Sequence, residues 1–163
     1  MRNKDINFKN FLNTKNNPKI KKDLENLLKN NLEIFETLKP TYKYSYSKKL
    51  ISKYKKFSNI RIIGMGGSIL GSEAIYNFLK KKIKKKLTFI NNLNSNTSYF
   101  RDKNINLNLI ISKSGNTLET ISNVNTIIKD KDKNIIITEN KDNYLRSLAK
   151  DLEAEVVDHK NFV

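Results

Sequence analysis

The stretch "NIRIIGMGGSILGSEAIYNFL", Asn59 to Leu79, decides the fold. A β-branched run ends in Gly-Met-Gly-Gly-Ser, after which Ile69, Leu70, Ala74, Ile75, Phe78 and Leu79 recur at helical spacing. The pattern is strand, tight turn, helix. Glycine at such a turn permits positive φ and lets backbone N–H groups approach a ligand, while the helix start adds unpaired donors and a partial positive charge. An anionic ligand suits that geometry.

Working outward, the same alternation repeats. "LTFIN" (Leu87 to Asn91), "LNLIIS" (Leu107 to Ser112), "NIIIT" (Asn134 to Thr138) and "AEVVD" (Ala154 to Asp158) are further short apolar runs. Helical spacing through Leu118, Ile121, Val124, Ile127 and Ile128, and again near Tyr144, Leu145 and Leu148, separates the later ones. Such runs predict a parallel sheet buried on both faces, an α/β three-layer sandwich with five strands. Ligands of these sheets sit at the carboxyl ends of the strands.

Upstream, Pro18 opens a predicted helical stretch with Leu24, Leu27, Leu28, Ile34, Phe35 and Leu38 on one face, and Pro40 closes it. "TYKYSYSKKLISKYKKF" (Thr41 to Phe57) predicts a short extended piece and then a helix through Leu50 and Tyr54. In the polar first 18 residues Phe8, Phe11 and Leu12 are the expected docking groups. The expected organisation is an N-terminal polar segment with helices over 1–58 and the sheet domain over 59–163.

Composition excludes several chemistries. The 163 residues contain no cysteine and one histidine, His159, so disulfides and thiolate or imidazole metal clusters are not expected, and no cofactor is implied. No run approaches the ~18 apolar residues of a membrane span, and the N-terminus lacks a signal-peptide core, so no membrane association and a cytoplasmic location are expected. The formal charge of +16 raises nucleic acid as a partner. Nearly all of that charge is lysine, in a chain equally heavy in asparagine and isoleucine, three residues that share A/T-rich codons, whereas base readers favour arginine forks. The run "KKKIKKK", Lys80 to Lys86, reads as a solvated helix end favoured by the dipole. Specific nucleic-acid binding is therefore not expected.

The opening loop is neither a dinucleotide fingerprint, since Ile69 stands where a third glycine is required, nor a Walker loop, since Gly-Lys-Ser/Thr is absent. A second loop, "IISKSGNTLET" (Ile110 to Thr120), also leaves a strand and opens a helix. Ser112, Ser114, Asn116 and Thr117 offer hydroxyl and amide groups beside free backbone N–H groups, a cradle for a phosphate monoester to which Lys113 adds charge. Each residue taken singly reads as a helix cap before it reads as a ligand group. Two such loops favour a small phosphorylated ligand.

"GMGGSILG" (Gly64 to Gly71) and "SKSGNTLET" (Ser112 to Thr120), at this separation, resemble the N-terminal sugar-isomerase (SIS) domain of the phosphoglucose isomerase family. The resemblance implies a flavodoxin-like sheet, an aldose-ketose isomerase of glycolysis and gluconeogenesis acting on glucose 6-phosphate and fructose 6-phosphate, and a homodimer in the full-length form. It places the sugar phosphate on Ser112, Lys113, Ser114 and Thr117, and the sugar near Gly67 and Ser68. Ile69 departs from the acidic or aromatic residue common there and inherits no role. The family's catalytic arginine, glutamate, histidine and lysine are expected beyond "DHKNFV", His159 matches none of them, and no catalytic residue is assigned within the chain, which is expected to be inactive alone. A stand-alone SIS module that binds a sugar phosphate, a short aldose-ketose isomerase and a basic RNA-binding protein are the alternatives.

Overall fold

A computed structural model describes residues 17–30, 33–93 and 104–160. The chain forms two compact units that divide between Tyr42 and Lys43.

In the first unit, Asn17 caps helix α1 (Pro18–Lys29), accepting from the backbone N–H of Lys19 and Ile20, with Pro18 at the first turn. The expected single helix up to Pro40 is instead two pieces, α1 and the one-turn α2 (Glu33–Glu36). Asn30 ends α1, a residue whose side chain competes for backbone groups and favours such breaks. Phe8, Phe11 and Leu12 lie outside the described residues.

The second unit carries the sheet. Its strands are β1 (Asn59–Gly64), β2 (Lys86–Ile90), β3 (Leu107–Ile111), β4 (Lys133–Glu139) and β5 (Glu155–His159). All neighbours pair in parallel, in the order β2-β1-β3-β4-β5. The helices of this unit are α3 (Lys48–Tyr54), α4 (Gly67–Leu79), α5 (Leu118–Ile127) and α6 (Tyr144–Asp151).

Strand alternation divides the core. Ile63, Ile90, Ile110 and Ile136 point to one face and pack with Val124 and Ile127 of α5 and Leu145 and Ala149 of α6. Their neighbours Ile60, Leu107, Leu109 and Ile135 point the other way, onto Tyr54 and Leu50 of α3. Phe89 meets Tyr76 of α4, which puts α4 on this second face. The layering follows from right-handed crossovers, because the chain steps one way from β1 to β2 and the other way from β3 through β5. The Tyr54 contact joins α3 to the sheet unit.

The apolar stripe expected along α4 is buried only at Ile69; Leu70, Ile75 and Phe78 are exposed. At the amino edge of the sheet, buried Arg61 pairs with Asp132 at 3.2 Å. Asp132 also accepts from the backbone N–H of Asn106, at 2.9 Å, and from the Asn108 amide, which donates to Asn134 as well. This polar rung lies at the end of the sheet opposite the loops that follow β1 and β3.

Candidate functional site

The order β2-β1-β3 makes the gap above β1 and β3 the point where successive connections leave in opposite directions, the crevice in which open α/β sheets take ligands. The loops after these two strands line it.

Gly64 ends β1 opposite Ile111. A Cβ there would stand 2.8 Å from the Ile111 carbonyl oxygen and 3.4 Å from Cβ of Ser68, so the seam admits only glycine and brings Ser68 over it. Gly66 then turns the chain at φ +51°. Helix α4 begins at Gly67 without a side-chain cap, held by Ser68 N–H donating to the Met65 carbonyl and Ile69 and Leu70 N–H donating to that of Gly66. The positive end of α4 therefore faces the crevice. Gly67 is exposed, with nothing within 4 Å of a Cβ position.

The second loop is tighter. Ser112, buried at the end of β3, lies with its hydroxyl oxygen 2.9 Å from that of Thr117 and accepts from the Gly115 N–H at 3.2 Å. Thr117 occupies the N-cap position of α5, yet its side chain caps no backbone N–H. A simple cap would have done so. With Gly115 N–H filling a lone pair of Ser112 and one proton shared between the two hydroxyls, the pair keeps a second hydroxyl proton to donate elsewhere. Ser114 accepts from Asn116 N–H at 3.3 Å, and Ser114 and Lys113 are exposed.

A third segment, which the sequence did not single out, backs this loop. The Lys113 carbonyl accepts from Glu139 N–H at 3.0 Å and from the Thr138 hydroxyl at 3.2 Å. Gly115 and Asn116 receive the N–H groups of Leu145 and Tyr144, through the Gly115 carbonyl and the Asn116 side chain. Gly115 has φ +68°, and a Cβ on it would overlap the Asn143 side-chain amide. Asn143 is legible in sequence as a cap before the Tyr144, Leu145, Leu148 pattern, but its contact with Gly115 spans unrelated segments and leaves no sequence signal.

Glu139 ends β4 beside these groups. A hydrogen bond from Lys141 holds its carboxyl below the usual glutamate range against an opposing burial effect, with the charges of Lys141, Lys113 and His159 adding to the lowering. His159 ends β5, half-buried, its Nδ1 2.8 Å from the Lys160 carbonyl oxygen. Glu119 lies in the first turn of α5. The structure thus gathers Ser68, Ser112 and Thr117 around the β1–β3 seam, while Gly67, Lys113 and Ser114 are exposed in the same two loops. Among the described residues no cluster of His, Asp or Glu could hold a metal ion, and no helix is long and apolar enough to cross a membrane.

The phosphoglucose isomerase family model matches residues 9–159. A glucose-6-phosphate isomerase of Borrelia garinii subsp. bavariensis is 42% identical over 45% of this chain and 16% of that protein. One from Methanocaldococcus jannaschii is 42% identical over 48% of this chain and 21% of that protein. The chain thus aligns with about a fifth or less of these relatives' length. Among solved structures, a hypothetical protein from Thermus thermophilus superposes with TM-score 0.59 at 15% identity, over 90% of this chain and 41% of that one. Tagatose-6-phosphate ketose/aldose isomerase from Escherichia coli does so with TM-score 0.54 at 18% identity, over 73% and 37%. At these identities the structural likeness concerns the fold alone.

Proposed function

We propose, from the premise that the chain belongs to the phosphoglucose isomerase family, that it is the phosphate-binding part of a glucose-6-phosphate isomerase and holds the phosphate of glucose 6-phosphate or fructose 6-phosphate on its Ser112 to Thr117 loop. The observation that carries this reading is the 2.9 Å pairing of the Ser112 and Thr117 hydroxyls at the start of α5, in place of a helix cap. A phosphate dianion there accepts charge-assisted hydrogen bonds from Ser114 and from the Ser112–Thr117 hydroxyl pair, which has one proton to give, and lies at the positive end of α5, with the Lys113 ammonium alongside. The sugar extends across the seam toward Gly67 and Ser68, where the absence of a side chain on Gly67 leaves room.

Moving a proton between C1 and C2 of the open sugar requires a base within hydrogen-bond reach. Glu119 belongs to the first turn of α5, where a carboxylate is favoured by the dipole, and Glu139 is engaged by Lys141. The described residues accordingly form a binder that does not turn over, and a cytoplasmic homodimer is the assembly that the family resemblance implies. Titration of glucose 6-phosphate by calorimetry tests the reading. Thr117→Ala removes a hydrogen bond to a charged group and lowers affinity by about 1.5–3 kcal/mol. Equal affinities would take Thr117 out of the site, and no binding by the unmodified chain would overturn the reading. Turnover of fructose 6-phosphate abolished by Glu119→Gln would instead make this chain a complete enzyme.

A further inference from the structure

We propose that Asn143 is a positioning residue for the phosphate loop: its side-chain amide, wedged against Gly115, fixes the loop that carries Ser112 and Thr117. The inference rests on the phosphate reading of that loop. Its orientation is unambiguous, because Oδ1 accepts from the backbone N–H of Arg146 at 3.0 Å and so caps α6. Nδ2 must then face the β4–α6 connection, where it donates to Lys141 O at 2.9 Å, to the Thr138 hydroxyl at 3.2 Å and to Glu139 O at 3.4 Å. Thr138 passes the connection on, since its hydroxyl donates to the Lys113 carbonyl. The same amide occupies the space above Gly115.

Gly115 is the pivot of the loop. It holds the left-handed φ, gives its N–H to Ser112 Oγ and takes the N–H of Leu145 on its carbonyl. Asn143 is 8% exposed, so the wedge is buried and has no room to swing away. An ordinary N-cap would need only Oδ1. The remaining contacts tie the cap of one helix to the ligand loop of another. Small displacements of positioned donors cost binding steeply, so the wedge acts on affinity without touching the ligand.

Asn143→Ser keeps a good cap for α6 but is too short to reach Gly115 or the carbonyls behind it. The control is Ser47→Ala, which removes the cap that accepts from Leu50 N–H on α3, remote from the loop. Both variants are titrated with glucose 6-phosphate and melted in urea. The expected result is about tenfold weaker binding by Asn143→Ser, and unchanged binding by Ser47→Ala despite its lower stability. Binding by Asn143→Ser equal to that of the unmodified chain, or an equal loss in Ser47→Ala, overturns the proposal. Should Asn143→Ser not fold, Asn143→Thr, an equally short cap residue without the amide, carries the same expectation. If the unmodified chain binds no glucose 6-phosphate the phosphate reading fails, and amide exchange still decides on the wedge. Faster exchange at Gly115 in Asn143→Ser with unchanged exchange at Ile121 supports it; unchanged exchange at Gly115 overturns it.

Discussion

The hydroxyl of Ser112, at the end of β3, pairs with that of Thr117, at the start of α5, across a loop in which Gly115 N–H also donates to Ser112 and Asn116 N–H to Ser114. The two serines of the loop therefore differ in burial and in partners. Ser112→Ala removes the buried hydroxyl that pairs with Thr117, while the Gly115 N–H keeps the Ser112 carbonyl as acceptor, and is expected to cost about 1 kcal/mol of stability. Ser114→Ala, at an exposed position, is expected to stay within about 0.5 kcal/mol. Urea unfolding followed by circular dichroism separates the two.

The glycines of the first loop carry opposite expectations. At Gly64 a Cβ would stand 2.8 Å from the backbone oxygen of Ile111, which cannot move without opening the β1–β3 ladder. Gly64→Ala is expected to destabilise by about 1–3 kcal/mol. Gly71 lies inside α4 with nothing within 4 Å of a Cβ, so Gly71→Ala is expected to stabilise by about 0.4–1 kcal/mol. Thermal melts of both variants check the sign.

At the other edge of the sheet, Asp132 is buried with Arg61. Asp132→Ala removes the carboxylate that the guanidinium and the Asn106 and Asn108 donors share and is expected to cost about 3–5 kcal/mol. Lys53→Ala breaks the exposed pair with Glu155 and is expected to leave the unfolding midpoint nearly unchanged. Denaturant midpoints of the two variants measure the contrast.

Glu139 supplies a pH-dependent component. Its carboxyl is held below the ordinary glutamate value of 4.5, chiefly by the hydrogen bond from Lys141. A lowered folded value stabilises fully above that pH and is lost as pH falls through it toward the folded value. The stability difference between the unmodified chain and Glu139→Gln is therefore expected to be largest near neutrality and to shrink as pH drops below 4.5. Urea titrations across the acid range test the direction.

The sheet was legible because each strand is a compact apolar run, and the ligand loops because glycine and hydroxyl residues cluster where those runs end. What stayed hidden depends on pairing between distant segments. Asn108 and Asn134 stand inside strands where a polar residue reads as solvent-facing, yet both are buried through partners on neighbouring strands. Asn143 reads as a cap, and nothing local announces that it fills the space above Gly115. The stripe along α4 shows the converse. Its spacing marks a helix, but periodicity gives the presence of an apolar face and says nothing of what covers Leu70, Ile75 and Phe78.

The most direct test of the central claim is a titration of glucose 6-phosphate into the isotopically labelled chain, with each backbone amide followed in proton–nitrogen correlation spectra. Saturable shifts are expected at Gly67, Ser68 and the amides from Ser112 to Leu118, and none beyond general salt effects along Lys80 to Lys86. Shifts confined to the lysine run, or no saturable shift in the loop between β3 and α5, would contradict that claim.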